Sequence, residues 1–303
     1  MAWWIYDFVI FGFLIFGGIY FLQMMFCLQN GSKRFLHKIA IIFLVLTWII
    51  VFYGSFVESR FLTVRTQTVD LGEKTTHTLR AAVVSDFHAG FYTDENWIKH
   101  IVREIQKRKP DVIFLLGDFI SENPEAVKEL QSFSNFRAPL GVFAITGNHD
   151  YQDHGRDDLV VATLQQMGIR VLRNEHLFLS FDGEKIALAG IDDIWFGGSS
   201  KAALDGLTDE DMVILLAHNP DAVLFSETKV ADLILSGHTH GGQIRLPLVG
   251  SLAHIPTVLG NTYDKGLFSL KDQWLFITSG VGEIGPRARL FNPPEIVLLN
   301  IVF

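Results

Sequence analysis

Seven apolar runs, most of them ending in or beside a polar residue able to hold a metal ion, constrain this chain more than any other feature of its sequence. They are LRAAVVSD (79–86), DVIFLLGD (111–118), GVFAITGN (141–148), KIALAGID (185–192), MVILLAHN (212–219), ADLILSGH (231–238) and WLFITSG (274–280). Alternating with amphipathic stretches, they have the rhythm of an α/β domain and read as buried strands. Between the first two, Trp97, Ile98, Ile101, Val102 and Ile105 share one helical face and Arg103, Lys107 and Arg108 the other, with Pro110 as the stop. A second helix is expected from Asp157 to Met167, ending at Gly168. Active sites of α/β folds gather outside the carboxyl ends of strands, so Asp86, Asp118, Asn148, His218 and His238 can meet at one spot.

With 303 residues, the chain exceeds the ~100–200 of a typical domain, which implies one large domain plus an appendage. The positive mean hydropathy of +0.28 comes from an apolar excess near the N-terminus. Residues 8–26 and 39–57 are each 19 residues long and carry no charge. That length is close to the ~20 residues a helix needs to cross a bilayer. Trp3, Trp4 and Tyr6 lie at one border, where amphipathic rings favour the headgroup layer. A cleaved signal peptide fits less well, because the first segment lacks a basic start and is long for an apolar core. The expected organisation is a transmembrane helical hairpin over residues 1–58, a connector over 59–78 and a catalytic domain over 79–303.

The loop from Asn30 to Lys38 holds Lys33, Arg34 and Lys38, against Arg60 and Arg65 beyond the second segment. The positive-inside tendency therefore puts the loop in the cytoplasm and the domain on the extracytoplasmic side of the membrane. Cys27 is the single cysteine, so no intramolecular disulfide forms. Setting aside the charges up to Glu58 leaves 31 of 33 acids and 22 of 25 bases, a formal charge of −9. A surface of that sign, without a Lys/Arg-rich stripe, argues against nucleic acid as the partner.

The motifs, in chain order, are Asp86-Phe87-His88, Gly117-Asp118, Gly147-Asn148-His149-Asp150, Ala217-His218-Asn219-Pro220 and Gly237-His238-Thr239-His240. Imidazole nitrogens and carboxylate oxygens suit Mn, Fe, Zn or Ni, and no thiolate is present to favour a structural zinc site. Ligands two residues apart, as in Asp86/His88 and His238/His240, fall on one side of an extended backbone. Gly90, Gly117, Gly147 and Gly237 allow the backbone to turn beside them. Asp192 and Asp193, closing another run, either support the ligands or cap a loop.

This ordered set resembles the calcineurin-like metallophosphoesterase family, whose pattern is D-x-H, G-D, G-N-H-[DE], H and G-H-x-H, over about residues 80–303. The resemblance implies a four-layer α/β/β/α sandwich. It assigns Asp86, His88, Asp118 and His240 to one divalent ion, and Asp118, Asn148, His218 and His238 to a second, with Asp118 as the bridge. Manganese is the expected metal, with Fe, Zn or Ni as alternatives. A pair of ions ~3.5–4 Å apart would neutralise an anionic phosphoester and activate a water for in-line attack. His149 would donate a proton or hydrogen bond to the phosphoryl or leaving oxygen, and Asp150 would orient that imidazole.

The stretch from Gly280 to Glu295 and His240-Gly241-Gly242-Gln243 resemble a membrane-associated bacterial branch of the family. That branch includes phosphodiesterases and a lipid A pathway enzyme that cleaves UDP-2,3-diacylglucosamine. Arg289 either grips a phosphate bidentately or makes a structural salt bridge, and His154 follows the Gly147–Asp150 turn closely enough to contact substrate. Ser121 stands where the fuller motif often has a charged residue. The expected function is hydrolysis of a phosphodiester or diphosphate on a lipid-linked substrate. The alternatives are a UDP-2,3-diacylglucosamine diphosphatase, which requires a cytoplasmic site, and a metal-binding membrane scaffold without catalysis.

Overall fold

The structure, a computed structural model, describes residues 3–28, 34–72, 77–121, 123–151, 156–271 and 273–303. Two long helices come first, α1 (Trp3–Leu28) and α2 (Arg34–Phe52), both apolar around their whole circumference. The windows Trp4–Phe26 and His37–Arg60 are long and apolar enough to cross a membrane. Phe8, Phe16 and Phe43 are more than 70% exposed, a cost in water that lipid would remove. The helices pack on each other, and Trp48 Nε1 donates to Leu14 O across 2.9 Å. Asn30 and Lys33, two of the residues behind the expected sidedness, lie outside the described residues.

Among the described residues fourteen strands follow. They are β1 (Thr63–Asp70), β2 (Thr78–Val84), β3 (Val112–Leu115), β4 (Val142–Ala144), β5 (Arg170–Val171), β6 (Glu175–Phe181), β7 (Glu184–Gly190), β8 (Met212–Leu216), β9 (Leu233–Ser236), β10 (Arg245–Leu246), β11 (Gly250–Ser251), β12 (Gly266–Leu270), β13 (Gln273–Ile277) and β14 (Glu295–Val302). One six-stranded sheet runs β1-β14-β2-β3-β4-β5 and a second β12-β13-β9-β8-β7-β6, while β10 and β11 form a small hairpin. Each of the seven apolar runs overlaps one of the strands β2, β3, β4, β7, β8, β9 or β13.

The period-two pleat of these strands builds the layers. Along β2, Leu79, Ala81 and Val83 enter a core shared with Ile214, Leu216, Leu233 and Leu235 of the second sheet. Ala82 and Val84 point the other way, to helices α3 (Glu95–Arg108) and α4 (Arg156–Gln166). On the far face of the second sheet, Ala187, Val213 and Ile234 pack under Ala203, Leu204 and Ala222. Burial on both faces of the sheets explains why the runs are continuously apolar. Each Leu- or Phe-sized side chain so buried contributes roughly 1.5–3 kcal/mol.

Helix α3 starts where the Asp94 carboxylate accepts from Trp97 N at 2.9 Å, and ends at Lys109, left-handed at φ 48°, before Pro110. Ile98, Ile101, Val102 and Ile105 are its buried stripe.

The segment from 59 to 78 is not the connector the sequence implies. Thr63–Asp70 pairs in parallel with Glu295–Val302 as an edge strand of the first sheet. Only Val69 of its eight residues is buried, so it carries no apolar run to betray it. The chain therefore passes from α2 into the domain without a free linker. A π turn (Tyr53–Val57) and a 3-10 turn (Glu58–Arg60) extend α2, and Ser55, Glu58 and Ser59 are buried there. Arg289 N donates to Gly54 O at 3.0 Å, and Arg287 lies over the rings of Tyr92 and Phe56, at 4.7 and 5.4 Å. Tyr92 Oη donates to Asp7 of α1 at 3.2 Å.

Candidate metal centre

Asp86 and His88 leave the end of β2, Asp118 the end of β3, Asn148 that of β4, His218 that of β8, and His238 and His240 that of β9. Strands β2, β3 and β4 are parallel neighbours in one sheet and β8 and β9 in the other, so all seven side chains gather at one edge of the sandwich. Five of the seven hold left-handed backbone: Asp86 (φ 56°), His88 (46°), Asp118 (54°), His238 (68°) and His240 (51°). For a non-glycine residue that conformation costs on the order of 1 kcal/mol or more, and it persists where surrounding structure over-determines it. Here the turn folds each donor back over its strand end.

Glycine is required at two of these turns. A Cβ on Gly147 would overlap Asp118 Oδ1 and lie 2.8 Å from His218 Cε1, and one on Gly237 would overlap Ser85 and lie 2.6 Å from Asp86 Oδ2.

Ligand atoms of Asp86, His88, Asp118 and His240 all lie within 4.8 Å of one another, and all four residues are buried. His88 Nε2 and His240 Nε2 face each other across 3.0 Å. His240 Nε2 is 3.3 Å from Asp86 Oδ1, and His88 Nε2 is 3.4 Å from Asp118 Oδ2. An ion with ligand bonds of about 2.1 Å keeps neighbouring donors roughly 3.0–3.4 Å apart, so this spacing is that of a coordination shell. Burial lowers the His88 imidazole to about 3 against the pull of Asp118, and burial with His88 holds His240 well below its usual value. Both rings are neutral at pH 7, the form that ligates metal.

The other donors adjoin this group through Asp118, whose Oδ2 lies 3.2 Å from His218 Nε2. His218 Nδ1 donates to Leu116 O at 2.6 Å, which turns Nε2 toward Asp118, where it holds a proton until a cation displaces it. His238 Nε2 donates to Pro256 O at 2.9 Å, and its Nδ1 faces Asn148 Oδ1 at 2.8 Å. Burial, then His218, lowers His238 to about 4, so Nδ1 is unprotonated and two lone pairs point at each other. Such an arrangement fits a shared cation.

Burial alone would raise Asp118, but His218, His149 and His88 around it hold it well below the carboxylate range. Burial also disfavours charge on His218, yet Asp118, Asp86 and Asp193 outweigh it and raise the imidazole to about 10. Burial, reinforced by Asp118, lifts Asp86 to about 7. Without metal, the cluster therefore retains protons that an entering cation must displace.

His149 is half-buried beside the cluster. Its backbone N donates to Asp118 Oδ1 at 2.8 Å, and its ring stands edge-on to His88 with centroids 4.9 Å apart. Asp150 departs from its expected role. Its carboxylate accepts the backbone N–H groups of Asp118 (3.0 Å), Phe119 (2.9 Å) and Gly147 (2.9 Å), so it ties the β3 and β4 turns together instead of orienting the His149 ring.

Arg289 is turned into the protein, away from open space. It is fully buried, and its guanidinium donates to the carbonyls of Ser279 (2.8 Å), Gly282 (2.6 Å) and Asn292 (3.1 Å). The salt bridge weighed as its alternative is likewise replaced by carbonyl bonds. His154 lies outside the described residues. Asp192 accepts from Arg173 Nε at 3.0 Å, and Asp193 caps the turn by accepting from Trp195 N at 2.9 Å. Ser121 Oγ donates to His88 O at 3.1 Å and so steadies that ligand's backbone.

Three contributors escaped the motifs. Asn292, fully buried, donates through Nδ2 to His240 O at 2.7 Å, and its backbone N donates to the buried Glu58 carboxylate. The end of α2 is thereby joined to the loop of a candidate ligand through one residue. Trp195 is half exposed at the rim and stands edge-on to His238 at 4.8 Å. The only sequence signal was Glu58 itself, a lone acid closing an otherwise uncharged segment.

Residues 79–242 match the calcineurin-like phosphoesterase family. The chain is 32% identical over 247 residues to the uncharacterized metallophosphoesterase YkuE of Bacillus subtilis, covering 76% of this chain and 85% of that protein. It is 31% identical over 229 residues to the phosphodiesterase YaeI of Escherichia coli, with coverages of 72% and 80%. A transmembrane protein with metallophosphoesterase domain from Danio rerio is 32% identical over 240 residues, which take in 74% of this chain and 53% of that longer protein.

Proposed function

From the premise that the chain belongs to the calcineurin-like phosphoesterase family, and so is a metal-dependent hydrolase of phosphate esters, we propose that it works with two divalent ions on a lipid-linked phosphodiester or diphosphate at a membrane. The observation that carries this reading is the buried group Asp86, His88, Asp118 and His240, adjoined through Asp118 by His218, His238 and Asn148. Asp86, His88, Asp118 and His240 would hold one ion, and Asp118, Asn148, His218 and His238 the other. Manganese is the metal we expect. Bound divalent ions would supply charge neutralisation of the phosphate and a lowered pKa for the attacking water.

The protein's own part is to present His88, His240 and His238 as neutral imidazoles beside an ionised Asp118, with the His218 proton leaving as the ions enter, so that little reorganisation is needed when the anionic substrate arrives. His149, beside the donors but outside the closest group, has the position to donate a hydrogen bond or proton to the phosphoryl or leaving oxygen. The apolar surface of α1 and α2 supports the lipid assignment, because an anchored enzyme and a lipid substrate search a surface together. We read residues 1–60 as the anchor and 63–303 as the catalytic domain.

The test incubates the purified full-length protein with Mn²⁺ and three substrates: bis-p-nitrophenyl phosphate, UDP-2,3-diacylglucosamine and a phospholipid. Turnover of the lipid-linked substrates well above that of the soluble diester is the expected result. Efficient cleavage of the soluble diester alone would reduce the function to that of a general phosphodiesterase, and turnover of none would reject the reading.

A further inference from the structure

Between Arg245 and Asp264 the chain runs through LPLVGSLAHIPTVLGNTY, residues 246–263, without one Asp, Glu, Lys or Arg. In a protein that is 19% charged, so long an uncharged stretch is normally core. Here it is surface. Leu248 is fully exposed at the tip of the β10–β11 hairpin, Val249 is 68% exposed, and Leu252 and Val258 are exposed beyond it. A soluble loop with this exposure would ordinarily carry charge.

Position gives the surface its meaning. The strap Arg289–Asn292 lies between this hairpin and the end of α2. On one side Leu290 N donates to Gln243 O at 3.1 Å, and Arg245 N donates to Leu290 O at 2.9 Å. On the other, Arg289 N donates to Gly54 O and Asn292 N to Glu58. Phe291, within that strap, is 58% exposed. The uncharged hairpin is thus one strap away from the point where α2 enters the domain, and Phe291 fills the interval with more apolar surface. A cleft of about 600 Å³ lies on the same side, with Leu246, Leu248, Val249 and Phe291 at its apolar wall and Arg245 and Asp264 at its polar one.

We propose that the β10–β11 tip and Phe291 dip into the lipid interface beside the α1–α2 hairpin, as a second membrane contact that fixes the tilt of the catalytic domain. The end of α2 bears on the domain at one side, through Gly54 and Glu58, and a second contact beside it would define the tilt. Apolar side chains seated at the acyl boundary, above the ion pair of Arg245 with Asp264 that closes the base of the hairpin, would hold one face toward the bilayer. Because the loop before the hairpin carries His240, that face determines how a lipid-borne phosphate meets the donors. This inference rests on reading α1 and α2 as membrane-spanning.

The test uses full-length protein in phosphatidylcholine/phosphatidylglycerol vesicles, with Cys27→Ser as background and an environment-sensitive fluorophore on one introduced cysteine. Phe16→Cys reports the anchor, Leu248→Cys the tip, and Glu184→Cys a turn on the far sheet. Nitroxide lipids labelled near the headgroup should quench position 248, lipids labelled deep in the acyl chain should quench position 16 at the middle of α1, and neither should quench 184. Quenching at 16 but not at 248 overturns the proposal and leaves the anchor standing, whereas no quenching at 16 removes the anchor and the proposal together. Blue-shifted emission at 248 that nitroxide lipids leave unchanged would mean a second copy or another protein covers the tip, and would also overturn it. Leu248→Glu combined with Val249→Glu, labelled at Leu252→Cys, should lose the quenching while the protein still sediments with vesicles.

Discussion

The two halves of the candidate metal centre are built differently. In one, two carboxylates and two imidazoles from Asp86, Asp118, His88 and His240 crowd within 4.8 Å. The other adds to the shared Asp118 only two imidazoles and the neutral amide of Asn148, whose oxygen meets His238 at 2.8 Å. With one formal charge fewer, the second half should hold a dication more weakly and exchange it faster. The first half is also braced from outside, since His240 O is held by Asn292 and through it by Glu58. The second is braced by backbone carbonyls, Leu116 O on His218 and Pro256 O on His238. The difference teaches that the half with two carboxylates is also the one hydrogen-bonded, through Asn292 and Glu58, to the end of α2.

The largest effect is expected at the residue common to both halves. Asp118→Asn should remove stable binding of both ions and lower kcat/KM by about 10³-fold or more, a loss of ~4 kcal/mol of transition-state stabilisation. Retention of a full ion in either half, measured by elemental analysis, would show that Asp118 does not join them. His149→Ala should cost about 10²-fold or more in turnover, the scale of a lost proton donor, while both ions remain. A parallel loss of metal would move His149 from chemistry to ion binding.

His240→Ala and His238→Ala sharpen the contrast directly. Each should reduce the metal content by one equivalent, and titration of the remaining ion should show the tighter half surviving in His238→Ala and the weaker one in His240→Ala. Equal residual affinities would erase the asymmetry.

Proton linkage gives a fourth handle. In the metal-free protein, His218 stands at about 10 and Asp86 at about 7, so at pH 7 protons occupy groups the ions need. Metal entry must expel them, so apparent affinity rises with pH across 6 to 9, by up to about tenfold per unit for each proton released. Calorimetry in buffers of different ionisation enthalpy counts those protons; a pH-independent affinity would contradict the assignment. The smallest effect is expected at Glu58→Ala, which should weaken the first ion about tenfold, at the low end for residues that support a ligand, with Glu58→Gln restoring most of it by keeping the acceptor oxygen.

Much of this architecture was legible because two-faced burial writes itself into sequence. A strand packed on both sides must be apolar throughout, and the seven such runs stand out. The donors were legible for a related reason, since each sits at the end of its run. The edge strand β1 left no such mark, because only Val69 is buried, and the partner it needs, β14, comes more than 220 residues later. Arg289 and Asp150 were misread for a shared cause. Local motifs advertise charge, whereas which carbonyls or amides a buried charge meets depends on strands far away in the chain. Asn292 bridges Glu58 and His240 across sequence separations of 234 and 52 residues, which no local pattern encodes.

The most direct measurement is the number of transition-metal ions bound per chain by the full-length protein after loading with Mn²⁺ and removal of free ion. The expected result is two equivalents, released in two distinguishable steps under a chelator, with less than one equivalent in Asp118→Asn. A single equivalent lost in one step, or no bound transition metal, would contradict the two-ion centre.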